Sequence, residues 1–216
     1  TGFDSIEECF QEKAHKIHAI ETGLSADPSM LWRISSLDKI NLLSFSDLHS
    51  FWPWRLGREL SVFDLKNITY DSLLHSIRTG ANFSGTLEMF PEEGKYHWDG
   101  HRNCGVSMPP SDSKRLGNIC PKCGSKLTIG VEYRVEELAD RPFGFKPNNA
   151  KNFKSLIPLS EIIQFHYSQS SPSSKKVWEV YNSLIKNFGN ENFVLLDAEK
   201  ENLERVAEPQ LVEKII

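Results

Sequence analysis

Apolar side chains recur at helical spacing in several stretches of the chain and gather into short runs in others. Ile6, Cys9, Phe10, Ala14 and Ile17 form a stripe over residues 4–18, which predicts a helix that Asp4 can cap. Ile17 to Ile20 predicts a short buried strand ending at Glu21. The loop from Gly23 to Pro28 leads into a helix that begins at Asp27 or Pro28 and runs through Ile34. Ile40 to Phe45 predicts a second strand, followed at once by Ser46-Asp47-Leu48-His49-Ser50. Strand, helix, strand is the rhythm of a parallel sheet with crossover helices, and in such folds the carboxyl ends of the strands carry the chemistry. Glu21, Asp47 and His49 all fall at predicted strand ends.

Further along, Tyr70 to Arg78 predicts a helix with Leu73, Leu74 and Ile77 inward, closed by Gly80. Ser84 to Phe90 predicts a strand, and Arg134 to Leu138 a short helix. Pro142 to Asn152, rich in Pro, Gly and Asn, reads as a linker. Helices are predicted over Leu159–Tyr167 and Ser174–Asn187, the second with Val177, Val180, Tyr181, Leu184 and Ile185 on its inner face. A Ser/Pro loop separates them, and Ala198–Ala207 and Pro209–Ile216 predict two last short helices. No internal repeat is visible.

The bulk composition fits this picture of a globular α/β chain. With 216 residues, 39% hydrophobic and 25% charged, one or two domains can bury a real core. No apolar run approaches membrane-spanning length and no signal-peptide pattern opens the chain, so no membrane partner is expected. Four cysteines, three of them clustered, point to a reducing, cytoplasmic compartment. The chain opens on Thr1 and enters a helical pattern at once, which suggests a piece of something larger. Charge is uneven. Lys95 to Lys154 holds 11 Lys and Arg against 6 Asp and Glu, a local balance of +5 that leaves −9 elsewhere in a net of −4. A basic middle of this kind can track phosphates, although a solvated mixed-charge surface gives similar counts.

The middle of the chain also carries the strongest chemical signal. His101 and Cys104, then Cys120 and Cys123, form two pairs with two residues between members, the spacing of two tight knuckles around one tetrahedral ion. The donor set suits zinc, and four protein ligands make the site structural. The loop between the pairs is polar and turn-rich and needs a pin, and Gly124 after Cys120-Pro-Lys-Cys123 permits the second turn. His97 is an alternative fourth ligand, and free or disulfide-bonded thiols are the alternative to a metal.

A second candidate is Asp47-x-His49, a carboxylate and an imidazole that can share a metal at a barrel mouth, or else a capping Asp beside an exposed His. Around it lie Trp52, Trp54, Arg55 and Arg58, which suit an unstacked base and its phosphates; both Trp can equally be core. Lys95, Arg102, Lys114, Arg115, Lys122 and Lys126 can hold backbone phosphates.

Rare strings occur here in one order: Glu21-Thr-Gly-Leu-Ser-Ala-Asp-Pro28, Trp32-Arg-Ile-Ser-Ser-Leu-Asp38, Ser46-Asp-Leu-His-Ser50 and Leu56-Gly-Arg-Glu59. Phe90-Pro-Glu-Glu-Gly-Lys-Tyr-His97, Asp99-Gly-His-Arg102 and Arg134-Val-Glu-Glu-Leu-Ala-Asp-Arg-Pro142 follow. The succession resembles endonuclease Q and its bacterial relatives in the PHP (polymerase and histidinol phosphatase) superfamily, over roughly residues 15–190. That resemblance implies the C-terminal part of a distorted β/α barrel over residues 1–80, a zinc-binding module over 81–141 and a helical region over 142–216. It implies DNA cleavage 5′ of deaminated bases (hypoxanthine, uracil, xanthine) or abasic sites. Structural zinc at the cysteine site and a divalent metal (zinc, manganese or magnesium) at the barrel site are implied as cofactors. By motif, Asp47 and His49 match the last metal-ligand pair of the barrel, and His101, Cys104, Cys120 and Cys123 match the zinc module.

The early His-x-His pair of a PHP barrel is missing from the sequence; His15 and His18 are three apart on a predicted helix. The expectation is a chain that supplies only the last barrel strands and does not cut DNA alone. A non-catalytic zinc-containing DNA-binding module, or a PHP phosphoesterase acting on a small phosphate ester, are the alternatives. The zinc module and its basic balance favour nucleic acid over the small ester.

Overall fold

In the computed structural model, which describes residues 3–216, the chain forms two compact units. The first comprises residues up to Phe45 together with Glu59–Lys154, and the second Ser46–Arg58 together with Ser155–Ile216. Among the described residues no helix is long and apolar enough to cross a membrane.

The first unit begins with α1 (Ile6–Phe10), which passes into a 3₁₀ stretch over Gln11–Lys16 instead of running as one helix through residue 18. The expected stripe buries nothing there, so packing does not hold the α form. Ser5, not Asp4, is the N-cap, and its hydroxyl accepts from the Glu8 N–H at 3.0 Å. The Asp4 carboxylate pairs with Arg134 instead. Next come β1 (Ala19–Glu21), α2 (Pro28–Leu31) and β2 (Asn41–Leu43). Asp27 caps α2 through the Met30 N–H at 2.9 Å, with Pro28 in the first turn. β1 and β2 pair in parallel, Ala19 opposite Asn41 and Glu21 opposite Leu43. The strand–helix–strand reading is therefore correct for this pair.

Next is β3 (Leu60–Phe63), followed by α3 (Tyr70–Thr79) and β4 (Phe83–Glu88). Thr69 and Ser72 form a reciprocal capping box on α3, and Gly80 ends it with a left-handed φ of 72°. β5 (Asp99–His101) and β6 (Val106–Met108) form an antiparallel hairpin. α4 (Pro110–Arg115), α5 (Val131–Leu138) and β7 (Asn152–Ser155) complete the series. β3, β4 and β7 make one three-stranded sheet with β4 in the middle, β3 and β4 antiparallel. A glycine is required inside β4: Gly85 has φ of 152°, and a Cβ there would lie 1.9 Å from the Asn152 carbonyl oxygen.

The second unit is helical: α6 (Leu159–His166), α7 (Lys175–Phe188), α8 (Glu191–Leu196), α9 (Lys200–Leu203) and α10 (Pro209–Ile215). The Ser174 hydroxyl caps α7. Leu159, Ile163, Val177, Leu184, Leu203 and Leu211 are fully buried in one core, each stabilising by roughly 1.5–3 kcal/mol relative to exposure. Glu191 serves this core from below its surface. Its carboxylate accepts the Leu159 N–H at 2.6 Å at the start of α6 and the Tyr181 hydroxyl at 2.8 Å.

Ser46–Arg58 joins the same unit although it lies a hundred residues upstream. Its ends are stitched together: the Gly57 N–H donates to Ser46 Oγ at 2.7 Å and Arg58 Nε to the Ser46 carbonyl at 3.1 Å. Trp54 is only 3% exposed and belongs to the helical core, stacked on Trp52 at 4.7 Å and meeting Trp178 edge-on at 5.1 Å.

Candidate metal centre

Two backbone turns bring the His/Cys set together. The hairpin β5–β6 places His101 at its tip, and the 3₁₀ turn Arg102–Cys104 with Gly105 at φ 59° turns Cys104 back toward it. The second knuckle closes on itself: the Cys120 N–H donates to the Ser125 carbonyl at 2.7 Å, and the Gly124 N–H to the Cys120 carbonyl at 2.9 Å. Gly124 has φ of 74°, in the left-handed region expected for such a turn. The two knuckles are joined through Gly100 and Thr128, which exchange backbone hydrogen bonds of 2.9 and 2.7 Å, and through Lys122 Nζ, 2.8 Å from the Cys104 carbonyl.

The result is one cluster. A ligand atom from each of His101, Cys104, Cys120 and Cys123 lies within 4.8 Å of the others, and Cys123 Sγ is 3.3 Å from His101 Nδ1. Such a set can hold a metal ion, and its soft donors fit zinc. Cys104 and Cys123 are pushed in opposite directions. Cys104 is pushed up to about 11, first by its hydrogen bond to Cys123, while Cys123 is drawn down to about 6, first by the Ser125 hydroxyl. A bound dication would favour the thiolate form of its cysteine ligands.

His101 therefore supplies the histidine of the cluster. His97 is buried, with Nδ1 3.0 Å from the Ser25 carbonyl and its ring edge-on to Trp98. Behind the hairpin, fully buried Asp99 accepts from the Ser113 hydroxyl and from the Gly130 N–H at 2.6 Å, which ties α4 and the start of α5 to β5. The sequence reading did not single out Asp99, which stands at the start of a three-residue strand that no local pattern announces.

Asp47 and His49 stand in the Ser46–Arg58 segment, both exposed. Asp47 has φ of 43°, and His49 Nδ1 lies 2.8 Å from the Asp47 carbonyl and 3.5 Å from its Oδ1. That contact occupies Nδ1 and leaves Nε2 as the ring nitrogen for a ligand. Arg55 and Arg58 are half-buried in the same segment. Trp54, expected beside a base, is instead buried in the helical core, stacked on Trp52 and at steep angles to Trp178 and Tyr181; Trp52 is partly buried against it. Lys95, Arg102, Lys114, Arg115, Lys122 and Lys126 are all exposed. Two of them are drawn to carboxylates, Lys114 to Glu136 at 2.5 Å and Arg115 to Asp112 at 3.1 Å.

Residues 158–216 match a family model described as the MJ0043 C-terminal domain. Over 99% of its length the chain is 33% identical to the uncharacterized protein MJ0043 of Methanocaldococcus jannaschii, covering 27% of that protein. Among solved structures it superposes on the lesion-specific endonuclease PfuEndoQ of Pyrococcus furiosus with a TM-score of 0.85. It superposes with a TM-score of 0.88 on endonuclease Q in complex with a 27-mer duplex substrate that has an abasic lesion at the active site. Identity is 33% in both, over 99% of this chain and 52–53% of each solved chain. The chain is endonuclease Q-like. It spans about half of the solved endonuclease Q chains and about a quarter of the M. jannaschii protein. The likeness to endonuclease Q continues through α10, past residue 190 where the sequence motifs fade.

Proposed function

We propose that this chain is part of a DNA repair endonuclease that cuts at lesions, and that it supplies the last strands of a PHP-type barrel, a zinc module and a helical region. The observation that carries the reading is the superposition on endonuclease Q along 99% of the chain at 33% identity. The division into residues 1–80, 81–141 and 142–216 belongs to this proposal, with cleavage 5′ of hypoxanthine, uracil, xanthine or an abasic site.

Two metals would serve it differently. Zinc on His101, Cys104, Cys120 and Cys123 would hold the knuckles in place and take no part in cutting. Asp47 and His49 would give a carboxylate oxygen and Nε2 to a divalent zinc, manganese or magnesium ion, whose Lewis acidity suits phosphodiester hydrolysis. The Nδ1 contact with the Asp47 carbonyl fixes the imidazole orientation for that role. Arg55 and Arg58 carry positive charge beside the pair, and the exposed cations of the zinc module would track backbone phosphates. Two ligands are too few for a hydrolytic metal cluster, so the remaining ones, including a His-x-His pair, are proposed to come from a further part of the protein.

The test is nicking of a labelled duplex bearing one deoxyinosine, deoxyuridine or abasic site, with manganese, magnesium or zinc added. The 216 residues alone are expected to leave it intact. A longer protein that includes a His-x-His barrel half is expected to nick 5′ of the lesion and to lose this with Asp47→Ala. Lesion-independent binding without cutting by the longer protein would favour the DNA-binding module instead.

A further inference from the structure

One exposed ring of the helical unit is carried by a series of others. Phe51 is 86% exposed, yet it leans on Trp52 with ring centres 4.9 Å apart and planes at 30°. Trp52 stacks on Trp54 at 4.7 Å and 15°. Trp54 in turn meets Trp178 at 5.1 Å and Tyr181 at 6.0 Å, both edge-on. Trp54 and Tyr181 are buried in the core of α6 to α10. The series therefore runs from solvent at Phe51 into the core at Tyr181.

The backbone on either side gives the ring a short mount. Before it, Ser50 Oγ accepts the Trp52 N–H at 3.3 Å. After it comes the 3₁₀ turn Pro53–Arg55, where the Trp52 carbonyl accepts the Arg55 N–H and the Pro53 carbonyl the Leu56 N–H, both at 3.0 Å. An exposed phenylalanine by itself needs no explanation. This one is held by a core it does not join, so it presents an aromatic face to solvent whose ordering cost on binding is already met.

Position decides what that face meets. Phe51 follows His49 by two residues, so their Cα atoms are at most about 7 Å apart, roughly two base steps of a B-form strand at 3.4 Å each. A phosphate held at Asp47 and His49 brings its own bases within reach of the ring. The side chains of His49 and Asp47 are 82% and 65% exposed, and charged groups of this kind are depleted at the centres of protein–protein interfaces. Leu48 and Leu56 are also exposed in this segment, but neither has a ring to stack. We infer that Phe51 stacks on a DNA base beside the cut, in the step that opens when a damaged nucleotide leaves the helix, and so favours damaged over intact duplex. Apolar side chains hold unstacked steps open in proteins that kink DNA, and extrusion costs least where a base is damaged. In an intact duplex each base is already stacked on its neighbours, and the ring has no face to meet. Phe51 binds and takes no part in bond breaking. The inference rests on the endonuclease reading, which puts the phosphate at Asp47 and His49.

Binding of the 216-residue chain to two short duplexes, one with a single abasic site and one intact, tests the inference beside NMR of ring-labelled phenylalanine. Phe51→Ala should weaken binding to the abasic duplex by about tenfold, within the range for one base–aromatic stack, and binding to the intact duplex far less. The salt slope should not change, because no phosphate contact is lost. Phe51→Tyr should keep the preference for the abasic duplex, and Phe51→Leu should lose it as Phe51→Ala does. Folding stability should be the same in all three, since so exposed a ring buries little. The phenylalanine signal missing from Phe51→Leu should move upfield when the natural chain meets the abasic duplex, through the ring current of the stacked base. Three results, each with the natural chain binding, would overturn the stacking and leave the DNA reading intact: equal losses on both duplexes in Phe51→Ala, full binding by Phe51→Leu, or an unmoved Phe51 signal. No binding of either duplex by the natural chain at low salt would overturn the DNA reading, and the stacking with it. None of these readouts requires nicking.

Discussion

Cys120 is the one sulfur of the metal cluster that is buried, and its own backbone closes the second knuckle at both ends. Replacing it with Ser substitutes a hard oxygen for a soft thiolate and removes a ligand that no neighbour can supply. The expected outcome is loss of one bound zinc per chain and unfolding of residues 91–128, since structural zinc contributes on the order of 10 kcal/mol to folding. Metal analysis with limited proteolysis reads both effects. Metal-free protein with Cys104 disulfide-bonded to Cys120 or Cys123 would refute the site. Gly85 makes a different demand, for space alone. Gly85→Ala would drive a methyl into the Asn152 carbonyl, 1.9 Å from where Cβ must sit. The expected loss is on the order of 3 kcal/mol in denaturant unfolding, with no change in zinc content. A variant as stable as the parent would mean that β4 and β7 adjust freely.

Among the elements, α7 is held by its buried face. Leu184→Ala should destabilise the helical unit by about 2–5 kcal/mol, read as a lower denaturation midpoint. Trp54→Ala should cost about 3–5 kcal/mol and weaken the same unit. If Trp54→Ala instead left stability alone and removed DNA binding, its ring would be a base platform and not core. These elements also mark what the sequence could tell. α3 and α7 were legible as helices because apolar spacing, an N-cap at Thr69 or Ser174 and a closing glycine coincide, although Leu73, expected inward on α3, is exposed and Ser76 is the residue that helix buries. The two knuckles were legible because their geometry is set by spacing within a few residues. β3 escaped notice because it is only four residues long, and α4 because Pro110-Ser-Asp-Ser-Lys-Arg115 carries no apolar stripe. Trp54 looked like a DNA contact because the core rings it meets besides Trp52, Trp178 and Tyr181, lie more than a hundred residues away.

For the whole molecule, DNA affinity is expected to fall steeply with salt and to vary little with sequence, because each phosphate met by Lys or Arg releases counterions. Replacing Arg102, Lys122 and Lys126 together should flatten the salt slope by about three units if each meets a phosphate. Replacing Lys114 and Arg115 should do less, since Glu136 and Asp112 already hold them. Filter binding across a salt series measures this, and salt-indifferent binding would count against a nucleic-acid surface. The placement of Trp54 has a separate consequence for how the chain comes to be folded. A ribosome delivers residues 46–58 long before α6 to α10, yet Trp54 belongs to the core those helices build. During that interval Trp52, Trp54 and Phe51 wait in an open loop, so the slowest contacts to form are the most apolar ones. Chains halted near residue 154 would carry that aromatic hook unsheathed, and they are the species most prone to stick to one another before synthesis ends.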